Sequence, residues 1–382
     1  MSEPVRIAHG MGLQPVQADW PALSQQDVED VLRHFPQVGA VHALHWHSPR
    51  PFSAAAQVRT AQGEVFVKRH HRKVRQPAWL LEEHRFVRYL EQRGAPVVTP
   101  LLDRNGRSAI ALGEWTYEVL PLAQGQDLYR EALSWTPFLT LAHAHAAGAA
   151  LACLHQAAEG FAAGARRTPV LVANLRLFGS SAPLMSIEKA LARQPALSQY
   201  LAGKPWQHAL RELHLPHHRA LLPLLAQQAP LWTHNDWHAS NLLWTEPGSS
   251  AQVQSILDFG LSDLTFALFD LATALERNCI PWLELDAGGR ASADLDAVDA
   301  LLEGYHRQRT LTQADLLTLK ALLPLVHVDF ALAEIDYFQG IVGSRSNADI
   351  AYHNYLIGHG QWFAGSEGAR LLDHLDRIAR TR

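Results

Sequence analysis

The sequence predicts an α+β protein with two lobes, a small lobe built on an antiparallel sheet and a larger lobe made mainly of helices. Residues 41–121 contain short segments in which apolar and polar side chains alternate, which is typical of strands, and helical spacing dominates afterwards. A length of 382 residues also exceeds that of one ordinary domain. We therefore predict an N-terminal extension with one helix in residues 1–40, the small lobe in 41–121 and the large lobe in 122–382.

The N-terminal extension and the small lobe contain clear local signals. Ser24 is followed three residues later by Asp27, as in a capping box, and apolar residues follow at helical spacing, so a helix starts there. Residues 80–94 show the same spacing and end on Gly94, a residue typical of helix C-termini. Strands are expected at residues 41–46, 54–60, 64–70, 108–112 and 115–120.

The large lobe is predicted to consist of helices around a short strand-rich centre. Residues 166–205 are rich in Ala, Ser, Pro and Gly and predict an irregular excursion. The apolar runs LWT at 231–233 and SILDF at 255–259 predict two strands on either side of a polar turn. Later helices are expected at residues 264–276, 294–309, 313–338 and 350–363.

The composition argues against several classes of protein. Lys and Arg total 33 against 37 Asp and Glu, whereas a general nucleic-acid binder carries a basic excess. The two cysteines, Cys153 and Cys279, are too few for a disulfide framework and favour a cytoplasmic location. Residues 132–158 lack charged side chains, but their histidines and small alanines favour a buried helix over a membrane span. We therefore expect no nucleic-acid or membrane partner.

The strongest chemical signal is the segment HNDWHASN, which starts at His234, followed by an Asp-Phe-Gly that starts at Asp258. Phosphoryl transfer from ATP needs a carboxylate that accepts or orients the proton of the acceptor hydroxyl, and oxygen ligands that hold Mg²⁺ on the phosphates. Asp236 suits the first role, and Asn241 with Asp258 suits the second. His234 opens the H-x-D-x4-N spacing and would brace this loop.

A lysine and an acidic partner complete the predicted phosphate site. The alternating segment VFVK ends in Lys68, on a predicted strand of the small lobe, where an ammonium group would hold the α- and β-phosphates of ATP. The helix that follows contains Glu82 and Glu83. Either carboxylate could orient the lysine, and we favour Glu83.

Taken together, these residues resemble the aminoglycoside phosphotransferase and choline kinase group of small-molecule kinases, which share a protein-kinase-like fold. The matching signature is HNDWHASNLLW, with His238 two residues after the aspartate, followed by ILDFG, and the resemblance covers residues 23–363. Asp270 stands where that family has a structural aspartate heading a helix. The segment EHRFVRYLEQRGAPVVTPLL resembles a branch that includes bacterial homoserine-kinase-like enzymes.

The resemblance implies ATP and Mg²⁺ as cofactors and the hydroxyl of a small molecule as acceptor. It also implies that His238 supports the loop or touches the substrate. Adenine is expected against the backbone of residues 117–121, which includes Glu118 and Leu120. The sequence has no G-x-G-x-x-G loop at the first turn, so Ser53 and backbone N–H groups are what is available to cover the phosphates.

Two other functions stay open at this point. The 22 histidines suggest a metal-dependent hydrolase, because His234, Asp236 and His238 alternate along the chain, although the sequence contains no H-E-x-x-H motif. A catalytically silent kinase-like module that binds nucleotide is the other alternative, although such a module would normally have lost a site residue. For a kinase, the acceptor could be an aminoglycoside, an amino alcohol, a homoserine-like compound or a sugar.

Overall fold

The computed structural model describes residues 7–9 and 12–381, and the chain divides into two compact units. Unit 1 contains the described residues up to Gln124 together with two short excursions of the chain, Arg166–Thr168 and Ser255–Leu257. Unit 2 contains the other described residues. A five-stranded antiparallel sheet in unit 1 and the many helices of unit 2 confirm the predicted α+β class with two lobes.

The strands that the sequence predicted for the small lobe all form, and they build one sheet. Within the described residues the strands are β1 (Ile7–Ala8), β2 (Val16–Gln17), β3 (Val41–His47), β4 (Ala54–Thr60), β5 (Gly63–His71), β6 (Ile110–Leu112), β7 (Trp115–Pro121), β8 (Leu231–Thr233), β9 (Leu242–Trp244), β10 (Val253–Ile256) and β11 (Asp263–Thr265). The main sheet has the order β3-β4-β5-β7-β6, with every pair antiparallel. Two small ladders pair β8 with β11 and β9 with β10.

Helices make up most of unit 2. In the described part of the chain they are α1 (Gln25–Leu32), α2 (Pro77–Gln92), α3 (Leu141–Ala158), α4 (Pro183–Leu191), α5 (Pro195–Leu201), α6 (Trp206–Leu213), α7 (Leu215–Leu225), α8 (Ala267–Cys279), α9 (Trp282–Asp286), α10 (Leu295–Gln308), α11 (Gln313–Leu322), α12 (Val328–Tyr337), α13 (Arg345–Ile350), α14 (His359–Ala364) and α15 (Ser366–Thr381). Helices α1 and α2 belong to unit 1.

Helix α1 is part of the core of unit 1. It starts at the predicted capping box, in which the Ser24 N–H donates to Asp27 Oδ2 at 2.9 Å and the Asp27 N–H donates to Ser24 Oγ at 3.1 Å. Its apolar side chains, Val28 among them, share one buried cluster with Val67 and Val119 of the sheet. Burial of an aliphatic side chain of this size contributes about 1.5–3 kcal/mol, so the helix helps to hold the sheet together.

Two glycines bring α3 and α10 into close contact in unit 2. A Cβ atom on Gly148 would lie 2.0 Å from the carbonyl oxygen of Leu301, and one on Gly304 would lie 1.9 Å from that of His145. The helix backbones therefore touch where side chains would otherwise separate them. Helix α3 is the uncharged segment that the sequence assigned to a buried helix, and most of its residues are buried.

Two expectations for the large lobe are wrong. The segment 166–205 contains α4 and α5, each of which has a proline in its first turn, where the missing N–H has no intrahelical partner in any case. The helix expected over 313–338 is interrupted, because Pro324 lies in a 3-10 turn between α11 and α12 and cannot donate a backbone hydrogen bond.

The helical segment Gln313–Val342 is long and apolar enough to cross a membrane. However, 83% of its apolar 18-residue stretch is buried inside the protein, which is typical of the core helix of a folded domain. The last predicted helix also differs from expectation, because its first part, Ala351–Gly358, is π-helical before α14 begins.

Candidate active site

The loop that follows β8 is held in place by Asp270, at the start of α8. The Asp270 carboxylate accepts the backbone N–H groups of His234 and Asn235, each at 2.8 Å, and lies 3.1 Å from His155 Nε2. Burial alone would raise the pKa of Asp270, but the bond from His155 and the proximity of His234 outweigh it and lower the pKa. Asp270 is therefore a buried anion that fixes the loop backbone.

Asn235 allows the chain to turn sharply at this point. Its φ of 61° lies in the left-handed region, which asparagine tolerates better than most residues. Its side chain is fixed in turn, because Asn235 Oδ1 accepts from Thr233 Oγ1 at 2.7 Å and Asn235 Nδ2 donates to the Leu261 carbonyl at 3.3 Å.

Three side chains surround the Asp236 carboxylate, which is 17% exposed. The guanidinium of Arg277 forms an ion pair with Asp236 Oδ1, and Asn241 Nδ2 donates to Oδ2 at 3.2 Å and to the main-chain oxygen of Asp236 at 3.0 Å. His238 Nε2 lies 3.6 Å from Oδ1. These contacts give the carboxylate one orientation and leave part of it accessible.

The two predicted loop histidines have different surroundings. His234 is fully buried, its Nδ1 accepts the Asp236 N–H at 3.2 Å, and its ring packs on Phe259 at a centroid distance of 4.7 Å. His238 Nδ1 bonds to Ser240 Oγ at 2.9 Å. Both histidines therefore support the loop, and only His238 has a ring nitrogen that faces the Asp236 carboxylate.

Asn241 and Asp258 offer the oxygen atoms that Mg²⁺ prefers. Because Asn241 Nδ2 is bonded to Asp236, the amide oxygen of Asn241 is the atom left to act as a ligand. Asp258 follows β10 with a left-handed φ of 54°, and its Oδ1 accepts the Gly260 N–H at 3.2 Å. The donor set fits a divalent cation that binds carboxylate and amide oxygens.

Helix α8 contributes two residues that the sequence motifs did not reveal. Arg277, which binds Asp236, is itself buried, and burial lowers its pKa to about 10, although the charge of Glu334 acts in the opposite direction. Asn278 accepts the Ala239 N–H at 2.9 Å through Oδ1 and donates to the Trp237 carbonyl at 2.9 Å. Arg277 lies seven residues after Asp270, which is two helical turns, so helical spacing places both on one face.

In unit 1, Lys68 lies on the same face of the sheet as a buried anion. Lys68 of β5 is directly opposite Glu118 of β7. The Glu118 carboxylate bonds to His70 Nε2 at 3.0 Å and to His84 Nε2 at 2.8 Å. Burial would raise the pKa of Glu118, but these bonds and the charges of His84 and Lys68 hold it well below its usual range. The sequence assigned Glu118 only through its backbone, and the structure adds a charged side chain beside Lys68.

Both candidate partners of Lys68 have cationic neighbours from the short segment Arg166–Thr168, which belongs to unit 1. Glu83 Oε2 lies 2.9 Å from Arg166 Nη2, with both side chains buried, and Glu82 forms an ion pair with Arg167. The sequence did not anticipate these arginines, since they follow the glutamates by more than eighty residues. The pairing of Lys68 with Glu83 stays a prediction.

The other predicted nucleotide contacts lie in or next to strands of the sheet. Ser53 is buried immediately before β4, and Leu120 is half-buried and opposite Phe66 in the ladder of β5 and β7. Among the described residues, His234, Asp236 and His238 do not form a group of three converging metal ligands, so the structure gives no support to the hydrolase alternative.

A loop with these supports, in a chain of this fold, defines a kinase-like phosphotransferase. The chain belongs to the phosphotransferase enzyme family, whose model matches residues 51–311, more than half of the sequence. The protein is therefore a small-molecule kinase with a hydroxyl acceptor. No curated protein matches the sequence significantly.

Solved structures with the same fold are distant in sequence. A microcompartment-associated aminopropanol kinase is 17% identical with a TM-score of 0.61, and the match covers 91% of this chain and 100% of that one. An amicoumacin kinase is 15% identical with a TM-score of 0.54, covering 94% of both chains. An aminoglycoside phosphotransferase from Alicyclobacillus acidocaldarius is 16% identical with a TM-score of 0.54, covering 95% of this chain and 98% of that one. At these identities the likeness concerns the fold.

Proposed function

We propose that the protein transfers the γ-phosphate of ATP, bound with Mg²⁺, to a hydroxyl group of a small molecule in the cytoplasm. The observation that carries this proposal is the setting of Asp236. Its carboxylate is oriented by Arg277 and Asn241, and the loop backbone on either side of it is fixed by Asp270 and Asn278. Such a fixed, partly exposed carboxylate is what an acceptor hydroxyl requires as a base or orienting group.

Each side chain has a defined part in this proposal. Lys68 binds the α- and β-phosphates, and Glu83 orients Lys68. Ser53 and the backbone around Glu118 and Leu120 contact the nucleotide.

In unit 2, Asn241 and Asp258 hold the magnesium ion, which when bound neutralises charge on the β- and γ-phosphates. Asp236 accepts a hydrogen bond from the acceptor hydroxyl and takes its proton as the phosphoryl group is transferred. Arg277 keeps the Asp236 carboxylate directed toward that hydroxyl, and His234 braces the loop. His238 lies close enough to Asp236 to contact the acceptor beside it.

The acceptor class is proposed in order of priority. The structural neighbour with a TM-score of 0.61 is an aminopropanol kinase, so amino alcohols are the first class to test. Homoserine-like compounds, aminoglycosides and sugars follow. An ADP-release screen against these four classes, with ATP and GTP in parallel, tests the proposal. We expect Mg²⁺-dependent turnover with one class, whereas nucleotide binding without turnover across the panel would support a catalytically silent module instead.

A further inference from the structure

A second cluster of charged and imidazole groups lies in unit 2, apart from the residues assigned to magnesium. Glu276 comes from α8, His327 directly precedes α12, and His359 begins α14. Glu276 Oε1 is 3.3 Å from His359 Nδ1 and 3.8 Å from His327 Nδ1. Each of the three residues is at least nine-tenths buried, and one ligand atom from each lies within 4.8 Å of the others.

Several atoms of this cluster have no hydrogen-bond partner. They include Glu276 Oε1 and His359 Nδ1, although the two face each other. Buried polar atoms are normally paired with protein groups or water. Two unpaired donor atoms that face each other, with His327 Nδ1 at 3.8 Å from one of them, therefore indicate a missing ligand. A carboxylate oxygen and imidazole nitrogens are all electron-pair donors, and the ligand that satisfies them together is a cation.

We propose that Glu276, His327 and His359 bind a divalent transition-metal ion of the Zn²⁺ type. In a tetrahedral zinc site with these ligands, neighbouring donor atoms are about 3.4 Å apart. The distances of 3.3 and 3.8 Å from Glu276 Oε1 to the two imidazole nitrogens are close to this value. Imidazole nitrogen favours zinc and its neighbours over Mg²⁺, which prefers an all-oxygen shell, so this site is chemically distinct from the one at Asn241 and Asp258.

The surroundings of the three ligands are those of a metal site. Glu334 Oε2 lies 3.7 Å from His327 Nε2, on the far side of the ring from Glu276. A carboxylate in that position would receive the remaining ring N–H of a metal-bound histidine and fix the ring. Trp282 stacks on His359 at a centroid distance of 3.6 Å and an interplanar angle of 11°, which fixes the second imidazole.

Three protein ligands leave one position of a tetrahedral ion for water or another small ligand. The ion would join α8, α12 and α14, whose ligands are far apart in sequence. Because Glu276 immediately precedes Arg277, which binds Asp236, such an ion would also stabilise the last turn of the helix that positions the catalytic loop. The site nevertheless stands on its own residues, and metal binding can be measured without any assay of phosphoryl transfer.

The test uses the full-length, tag-free protein, stripped with a chelator and then supplied with one equivalent of Zn²⁺ or Co²⁺. We expect one tightly bound ion per chain after desalting, measured by elemental analysis, and a higher melting temperature for the loaded protein. Co²⁺ is expected to give the strong visible absorption of a four- or five-coordinate ion.

Matched variants locate the ion. His327→Gln and His359→Gln are each expected to abolish binding, and Glu334→Gln to weaken it about tenfold, as is typical when a ligand's own hydrogen-bond partner is lost. The control is His218→Gln, because His218 is also a buried histidine of unit 2 but bonds to the Ser180 carbonyl at 2.8 Å. Circular dichroism confirms that each variant is folded. If the folded wild-type protein binds no ion, or if the His327 and His359 variants bind as well as the His218 control, the proposal is overturned.

Discussion

Asp236 is oriented by contacts that all come from one loop and one helix. An unpaired surface carboxylate samples several rotamers, whereas this one is bonded on one oxygen to Arg277 and on the other to Asn241. In the proposed reaction, a carboxylate that is fixed before the substrate binds removes an entropic cost from the chemical step. The same contacts explain why the amide nitrogen of Asn241 is directed toward Asp236.

The first prediction concerns the charge of Asp236. Asp236→Asn keeps the size of the side chain but removes the proton acceptor, so we expect kcat to fall by about 10²- to 10⁴-fold. Nucleotide affinity, measured by calorimetry with Mg·AMP-PNP, is expected to stay within about threefold of the wild-type value, which corresponds to the small free-energy change of a neutral substitution. Near-normal turnover in this variant would contradict the proposed role of Asp236.

The second prediction concerns Arg277. Replacing it with methionine leaves the Asp236 carboxylate without its cationic partner in a mostly buried position, and we expect a loss of about 3 kcal/mol in the free energy of unfolding. Urea denaturation measures this loss. In the double variant with Asp236→Asn most of it should be recovered, because no unpaired charge is left there.

The control for Arg277 is Arg307→Met, which removes an exposed pair with Glu303 on α10. Exposed pairs of this kind contribute about 0–1 kcal/mol. If the two single variants lose the same free energy, or if the double variant recovers none, then Arg277 does not act through Asp236.

At the scale of elements, helix α8 supplies three of the residues that fix the loop. Its first turn supplies Asp270, which binds the loop backbone, and its last turns supply Arg277 and Asn278. The family resemblance identified Asp270, because this residue stands where the family has a structural aspartate at the start of a helix. Arg277 and Asn278 act on residues about forty positions earlier, and no local pattern encodes such contacts.

The third prediction concerns the contact between α3 and α10. Inside a helix, Gly→Ala normally stabilises by about 1 kcal/mol. At Gly304 we expect the opposite sign, a loss of about 3 kcal/mol, because the new methyl group would meet the rigid carbonyl of His145. Thermal and urea denaturation measure the change.

A matched control for this prediction is Gly164→Ala, since nothing lies within 4 Å of a Cβ at that position and its φ is not in the left-handed region. We expect this variant to differ from the wild type by no more than about 0.5 kcal/mol. A stabilised Gly304→Ala variant would show that the two helices can separate at little cost.

The strands were easier to predict than the helices for a physical reason. Burial alternates along most of β5 and along β4 from Ala56 onward, and adjacent residues of the sequence show the same alternation of apolar and polar side chains. Helices α4 and α5 are short and contain Pro and Ser. A tertiary contact holds α5, in which the Leu197 N–H donates to Asp336 Oδ1 at 3.1 Å. Their sequence alone resembles a loop, and only packing makes them helical.

At the scale of the whole molecule, buried histidines make the stability of the folded protein depend on pH. Burial lowers the pKa of several histidines, namely His70, His143, His214, His217 and His327. These side chains therefore stay neutral in the folded protein at a pH where they would be protonated in the unfolded chain. Below about pH 6.5 the unfolded chain binds more protons than the folded one at these sites, so they make the folded state less stable as the pH falls.

The fourth prediction isolates His214, whose pKa burial lowers from 6.5 to about 3. The stability that its neutral ring contributes is complete above pH 6.5 and is lost progressively below it. Relative to a His214→Leu variant, the wild type should therefore lose about 2 kcal/mol of unfolding free energy between pH 7 and pH 5. Urea denaturation of both proteins at the two pH values measures this difference.

The comparison with a variant is necessary because another group titrates with the opposite sign. Burial raises the pKa of Asp329 to about 7, so its contribution favours the folded state at low pH and is lost as the pH rises toward 7. The contribution of Asp329 is the same in the wild type and in His214→Leu, so it cancels when their unfolding free energies are subtracted. Stability curves that stay parallel from pH 7 to pH 5 would contradict the assignment of a buried, neutral His214.

The tripeptide Arg166–Thr168, which belongs to unit 1, matters for any attempt to produce the two units as separate fragments. Unit 1 takes Arg166 from far along the chain, and Arg166 is the buried cation beside Glu83. A recombinant fragment that stops at Gln124 would thus retain a buried carboxylate and lack the guanidinium that neutralises it. Split-protein designs and domain exchange between relatives should therefore carry this tripeptide with the first unit, for example by grafting it through a short linker.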